Sequence, residues 1–165
     1  MKKEHVINHN VVLDEIDMEI LNYIQADGKL SVRELSKQIN LSPTPVHQRL
    51  KRLESTGIIH HYAAIIDQSK IGQHILFFVN IILKEHSTSL GGAFIKSITT
   101  FKEVTEFYTI GGEHDFMIKV VVADMAGYRN FFVKKLGEIP NIAKLQSVIV
   151  LDTIKREIAI PFSAR

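Results

Sequence analysis

The chain has 165 residues, 45% hydrophobic and 23% charged, with no cysteine and a formal net charge of +2. A chain of this composition buries a core; the profile excludes disorder, and the missing thiols exclude disulfides, thiolate metal sites and cysteine nucleophiles. The longest apolar run, Ile75 to Leu83, is about half the ~18 residues that a spanning helix needs, and Asn80 interrupts it. The polar segment Met1 to Asn10 lacks the apolar stretch of a secretory signal, and with no cysteine a reducing cytoplasm is the expected setting.

Leu13, Ile16, Ile20, Leu21 and Ile24 recur at helical spacing and predict a first helix over about 14–26, with Asp14 as N-cap and Gly28 as its stop. Ser31-Val32-Arg33-Glu34 has the form of a capping box and opens a short second helix, whose buried stripe is Leu35 and Ile39. Asn40 can take the left-handed conformation that ends it. Ser42 then caps a third helix with Pro43 in its first position, Pro45 still in its first turn and Gly57 at its close.

Wound at about 100° per residue, the third helix puts Val46, Leu50 and Leu53 on one face and Thr44, Gln48, Lys51 and Ser55 nearly opposite. His47 and Arg52 flank the outward face, and Arg49 lies nearer the buried edge. The basic character extends beyond this helix: between residues 28 and 72, seven lysines and arginines stand against Glu34, Glu54 and Asp67. Two helices joined by a short turn, the second with a polar and basic free face, are the parts of a helix-turn-helix, whose second helix lies in the DNA major groove. The candidate DNA-binding residues are Ser42, Thr44, His47, Gln48, Lys51 and Arg52. Gln48 and Lys51 are expected at base edges and His47 and Arg52 at phosphates, with Thr44 fit for either. Used only as a protein contact, the helix would need an apolar anchor on that face, and it has none.

Ile58 to Ile66 reads as a connecting strand, and Asp67 to Gly72 as the domain boundary, giving a helix-turn-helix domain over 1–66 and a second domain over 67–165. The second half predicts strand, helix, strand, strand, helix, strand at about 74–84, 88–100, 103–110, 115–123, 125–137 and 143–152. That order is the ferredoxin-like βαββαβ arrangement, with helices on one face of an antiparallel sheet, so the fold class is α+β with a winged-helix-like first domain. The run Phe116 to Val122 is apolar at nearly every residue, which suggests that a second subunit covers the helix-free face.

The order and spacing of several motifs resemble the Lrp/AsnC (leucine-responsive/asparagine-responsive) family of transcription regulators. They are Leu13-Asp14-x-x-Asp17 through Ile20-Leu21, Leu35-Ser36, Leu41-Ser42-Pro43-Thr44-Pro45-Val46 through Arg49, Leu53-Glu54-x-x-Gly57-Ile58-Ile59, Gly112-x-x-Asp115 and Pro140-Asn141-Ile142. The resemblance covers about residues 13 to 155. It implies a cytoplasmic, DNA-binding homodimer, in many members a tetramer of dimers, whose assembly or DNA affinity responds to a free amino acid. No metal or other cofactor is implied.

The candidate effector-binding residues are Gly111, Gly112 and Asp115. Successive glycines let backbone N–H groups approach a carboxylate, and an ionised aspartate can accept from an ammonium. The alternative is a plain turn with Asp115 as its cap. Family members often carry a threonine or serine where this chain has Gly111. No catalytic set is expected: His114 and Asp115 are sequence neighbours whose side chains diverge. No metal is expected either, since His5 and His9 lack a third ligand and His60 and His61 point to opposite sides of a strand. Two other readings remain, an amino-acid-sensing or oligomerising module without specific DNA binding, and a small enzyme on the ferredoxin-like domain.

Overall fold

Among the described residues, every α-helix but the third begins where a side-chain oxygen takes up an otherwise orphaned backbone donor. The computed structural model describes residues 12–67, 70–72 and 74–162; His5 and His9 lie outside them. Helix α1 (Glu15–Ala26) and helix α2 (Val32–Gln38) each open with a complete capping box, Asp14 with Asp17 and Ser31 with Glu34. Asn40, at φ 53°, makes the left-handed turn into α3 (Pro43–Ser55), and Gly57, at φ 78°, ends that helix. Gly28 is not the stop of α1: Asp27 caps it in an extended conformation, donating its N–H to the Tyr23 carbonyl.

Two compact units result, each with its own core. The first runs to Ile65 and packs Ile20, Ile24, Leu35, Ile39, Val46 and Leu53 together. The segment from Lys155 also belongs to it, although 67–165 was expected to form one domain. Gln25 holds the backbone of Ile160 from both sides, donating to its carbonyl at 3.2 Å and accepting from its N–H at 2.7 Å, and Phe162 packs against the same core. The expected strand at 58–66 is absent. Those residues form no strand in the described chain, because isoleucine-rich backbone becomes a strand only beside an edge that pairs with it.

The second unit is built on a four-stranded antiparallel sheet in the order β2-β3-β1-β4, the ferredoxin-like arrangement. Its elements are β1 (Ile75–Leu83), α4 (Thr88–Ile98), β2 (Val104–Thr109), β3 (Phe116–Val122), α5 (Met125–Arg129) and β4 (Ile142–Ile149). Phe77, Val79, Ile81 and Leu83 of β1 alternate into a core with Ile118 and Val120 of β3, covered by Phe94 and Ile98 of α4 and by Phe131 and Leu136. The helix expected at 125–137 changes type: α5 continues as a π-helical segment, Asn130–Leu136. Gly137 closes it by donating to the Phe132 carbonyl at 3.2 Å, and a Cβ at Gly137 would stand 2.4 Å from the Val133 oxygen. Before β4, Asn141 takes a left-handed φ of 70° and its side-chain amide clasps both the N–H and the carbonyl of Glu85. Among the described residues, no helix is long and apolar enough to cross a membrane, and no cluster of three or more His, Cys, Asp or Glu could hold a metal.

Candidate nucleic-acid interface and effector loop

Ser42 starts α3 in extended conformation, yet its side chain makes no capping hydrogen bond. The reason is local. Each other α-helix here is capped through the N–H of its third residue, and in α3 that residue is Pro45, which has none. The exposed Ser42 hydroxyl is therefore left outside the helix's own bonding, next to an exposed Thr44.

Burial of Val46 and Leu53 at 0% exposure turns Thr44, His47, Gln48 and Lys51 outward, and all four are exposed. Arg52 is exposed too, but it is not a free cation: its Nη2 donates to Asp17 Oδ2. Asp17 is completely buried at the start of α1. Arg49 Nη1 reaches both carboxylates, at 2.7 and 2.8 Å from the Asp14 oxygens and 2.8 Å from Asp17 Oδ1. The hydrogen bond from the Asp17 backbone, and then that from Arg49, hold the Asp14 carboxyl below its ordinary value; the two carboxylates hold the Arg49 guanidinium above its own. Face geometry alone had placed Arg52 on phosphate and left Arg49 without a role. The signal that could have revealed the pairing is the matched i,i+3 spacing of Asp14 with Asp17 and Arg49 with Arg52. At the far end of α3, Tyr62 donates to Glu54 at 2.9 Å; burial first, and then Glu54, push the phenol up to about 12.

In the second unit, the β2–β3 turn is closed by the Ile110 N–H donating to the Asp115 carbonyl at 3.0 Å. Gly111 and Gly112 are exposed at its tip, with open space where either Cβ would stand, and Gly112 has φ +115°. Asp115 does not cap this turn. Its Oδ2 accepts the Leu83 N–H at 2.8 Å, tying the turn to the end of β1, and its Oδ1 faces His86 Nδ1 at 3.6 Å. The adjacent His114 buries its Nε2 without a hydrogen-bond partner among the described residues.

A winged helix-turn-helix DNA-binding family matches residues 13–60, and the Lrp/AsnC ligand binding domain matches residues 76–160. The transcriptional regulator AzlB of Bacillus subtilis is 37% identical, over 92% of this chain and 96% of that protein. An AsnC family transcriptional regulator from Agrobacterium tumefaciens superposes with a TM-score of 0.85 at 32% identity, covering 90% of this chain and 97% of that one. A regulator from Neisseria meningitidis, solved as a complex with L-methionine, superposes with a TM-score of 0.86 at 29% identity, over 91% and 97% of the two chains. With a helix-turn-helix unit, a ferredoxin-like unit and these matches along nearly its whole length, the chain belongs to the Lrp/AsnC family of transcriptional regulators.

Proposed function

We propose that α3 is the DNA-reading helix, with Gln48 and Lys51 at base edges, His47 and the outer edge of Arg52 toward phosphates, and Ser42 and Thr44 at the helix start. The observation that carries this reading is the exposed set Thr44, Gln48 and Lys51, which contains no acidic side chain and lies opposite a fully buried Val46 and Leu53. Amide and ammonium groups on a helix face are the groups that read the major groove, and each good base contact is worth about 1–3 kcal/mol of discrimination. The test is a selection of bound fragments from a random pool, followed by Gln48→Ala on selected and random duplexes. The ratio of the two affinities is expected to fall by about tenfold, the size of one lost base contact; an unchanged ratio removes Gln48 from base reading.

The protein acts, on this reading, in the cytoplasm as a regulator and not as an enzyme, and the second unit senses a free amino acid beside Gly111, Gly112 and Asp115. Open space surrounds the glycine tip, Asp115 Oδ1 lies 3.6 Å from His86 Nδ1, and the similar Neisseria protein was solved with L-methionine. Asp115→Ala would leave the Leu83 N–H unpaired, so Asp115→Asn, which keeps an acceptor oxygen there, is the cleaner probe. Titrating the twenty amino acids calorimetrically should give heat with wild type, and at least about tenfold weaker binding with Asp115→Asn, the usual size of a lost charge-assisted bond. No heat with any of them would leave the glycines as a turn.

A further inference from the structure

We propose that Asp14 and Asp17 are positioning residues for DNA reading: through Arg49 and Arg52 they fix the roll of α3 about its own axis. The inference rests on α3 as the reading helix.

Apolar contacts hold α3 in place, but the drive that buries them is non-directional. With side-chain tips about 5–6 Å from the axis, a roll of about 20° moves each tip about 2 Å. Recognition geometry tolerates about 0.5 Å and 10–20°. Close packing limits the roll, and directional hydrogen bonds narrow it further. The guanidinium groups of Arg49 and Arg52, three residues apart on one flank, provide those bonds. Arg49 spans three carboxylate oxygens within 2.8 Å, and Arg52 donates to the second oxygen of Asp17.

The acceptors are themselves rigid. Asp14 and Asp17 lock each other through the capping box, at 2.9 Å from the Asp17 N–H to Asp14 Oδ1 and 3.1 Å from the Asp14 N–H to Asp17 Oδ2. Buried ion pairs add little stability over an apolar replacement, but they restrict geometry: the rigid guanidinium plane on a stem of set length fixes where Arg49 Nη1 and Arg52 Nη2 meet the carboxylates. The pairing also sets the charge that α3 offers. Both arginines are part-exposed, with side chains 27% and 45% accessible, and the two carboxylates neutralise charge that would otherwise attract any phosphate.

The test measures affinity of the full-length protein for a selected duplex and a random duplex across a salt series, with folding checked by circular dichroism. Arg49→Lys keeps the charge but loses the planar guanidinium that carries Nη1 to both carboxylates. The ratio of specific to random affinity should fall about tenfold, with random-duplex affinity and its salt slope unchanged. Asp17→Asn should lower the ratio likewise and leave random binding unchanged or tighter. If Asp17→Asn does not fold, Asp14→Asn takes its place, with the same result expected: a lower ratio and random binding unchanged or tighter. A folded Arg49→Lys with a wild-type ratio overturns the proposal. So does an Arg49→Gln that weakens both duplexes equally with a shallower salt slope, because Arg49 would then touch phosphate itself. Gln48→Ala, run alongside, judges the reading helix separately: if it leaves the ratio unchanged while Arg49→Lys lowers it, the assignment of Gln48 fails and the clamp stands.

Discussion

Glu34 shows how one side chain supports α2, the helix that precedes α3. Its carboxylate accepts from both the N–H and the hydroxyl of Ser31, at 2.9 and 2.6 Å, and these bonds hold its pKa below the ordinary 4.5. Asp14 is held below its ordinary 3.8 by the Asp17 N–H and Arg49. A carboxyl lowered in the folded state contributes stability that is fully present above its unfolded pKa and is lost as pH falls through the folded one. Glu34→Gln removes one such group. Thermal midpoints of wild type and Glu34→Gln should therefore differ most above pH 4.5, with wild type higher, and converge as the solution is acidified below that value. Parallel curves at all pH values would show that Glu34 carries no charge-dependent stability. Residues of this kind were legible from sequence because both partners lie three positions apart.

At the scale of elements, the π-helical end of α5 depends on a close backbone approach. The Val133 oxygen sits 2.4 Å from where a Cβ of Gly137 would be, and a backbone atom cannot rotate away as a flexible side chain could. Gly137→Ala should destabilise the second unit by about 1–3 kcal/mol, the usual cost of overpacking, read as a lower denaturant midpoint at unchanged m-value. A neutral result would mean that the segment returns to α-helix at no cost. The sequence indicated a single helix over 125–137, because Tyr128, Phe131, Phe132 and Leu136 fit ordinary helical spacing; a one-residue widening is set by how Phe131 and Leu136 seat on the sheet. The 58–66 segment failed as a strand for a related reason: propensity supplies the side chains, but the partner edge has to come from elsewhere.

For the whole molecule, the sheet has a second face. Leu76, Phe78, Asn80 and Ile82 of β1 alternate away from the helix-covered core; the register pairs Leu76 with Val121, Phe78 with Lys119 and Asn80 with Met117 of β3, and Phe78 with Val148 of β4 on the other side. These residues are half-buried except Val148, which is 51% exposed. We propose that a second copy of the chain covers this face, which would present two reading helices to a pseudo-palindromic site with half-sites about one helical turn, or a multiple, apart. Phe78→Glu, near the middle of the patch, should convert a dimer or larger assembly to monomer at micromolar concentration by sedimentation, and lower DNA affinity with it. Wild type sedimenting as a monomer would discard the arrangement, and an assembly that survives Phe78→Glu would move the interface elsewhere.

The sequence alone determined the helix starts, the Asn40 turn, the outward set on α3 and the strand order of the second unit. Each is encoded by contacts within a few residues or by a periodicity that a burial-seeking chain must obey. Tertiary structure decided the partners. Arg49 and Arg52 meet carboxylates 32 to 35 positions away, and Gln25 holds a backbone 135 positions away. The Asp115 carboxylate accepts from Leu83 at the end of the neighbouring strand, while only its backbone closes its own turn. A charged or polar side chain carries no local mark of which distant group it will meet, because that choice is made only when packing brings the two within hydrogen-bonding distance.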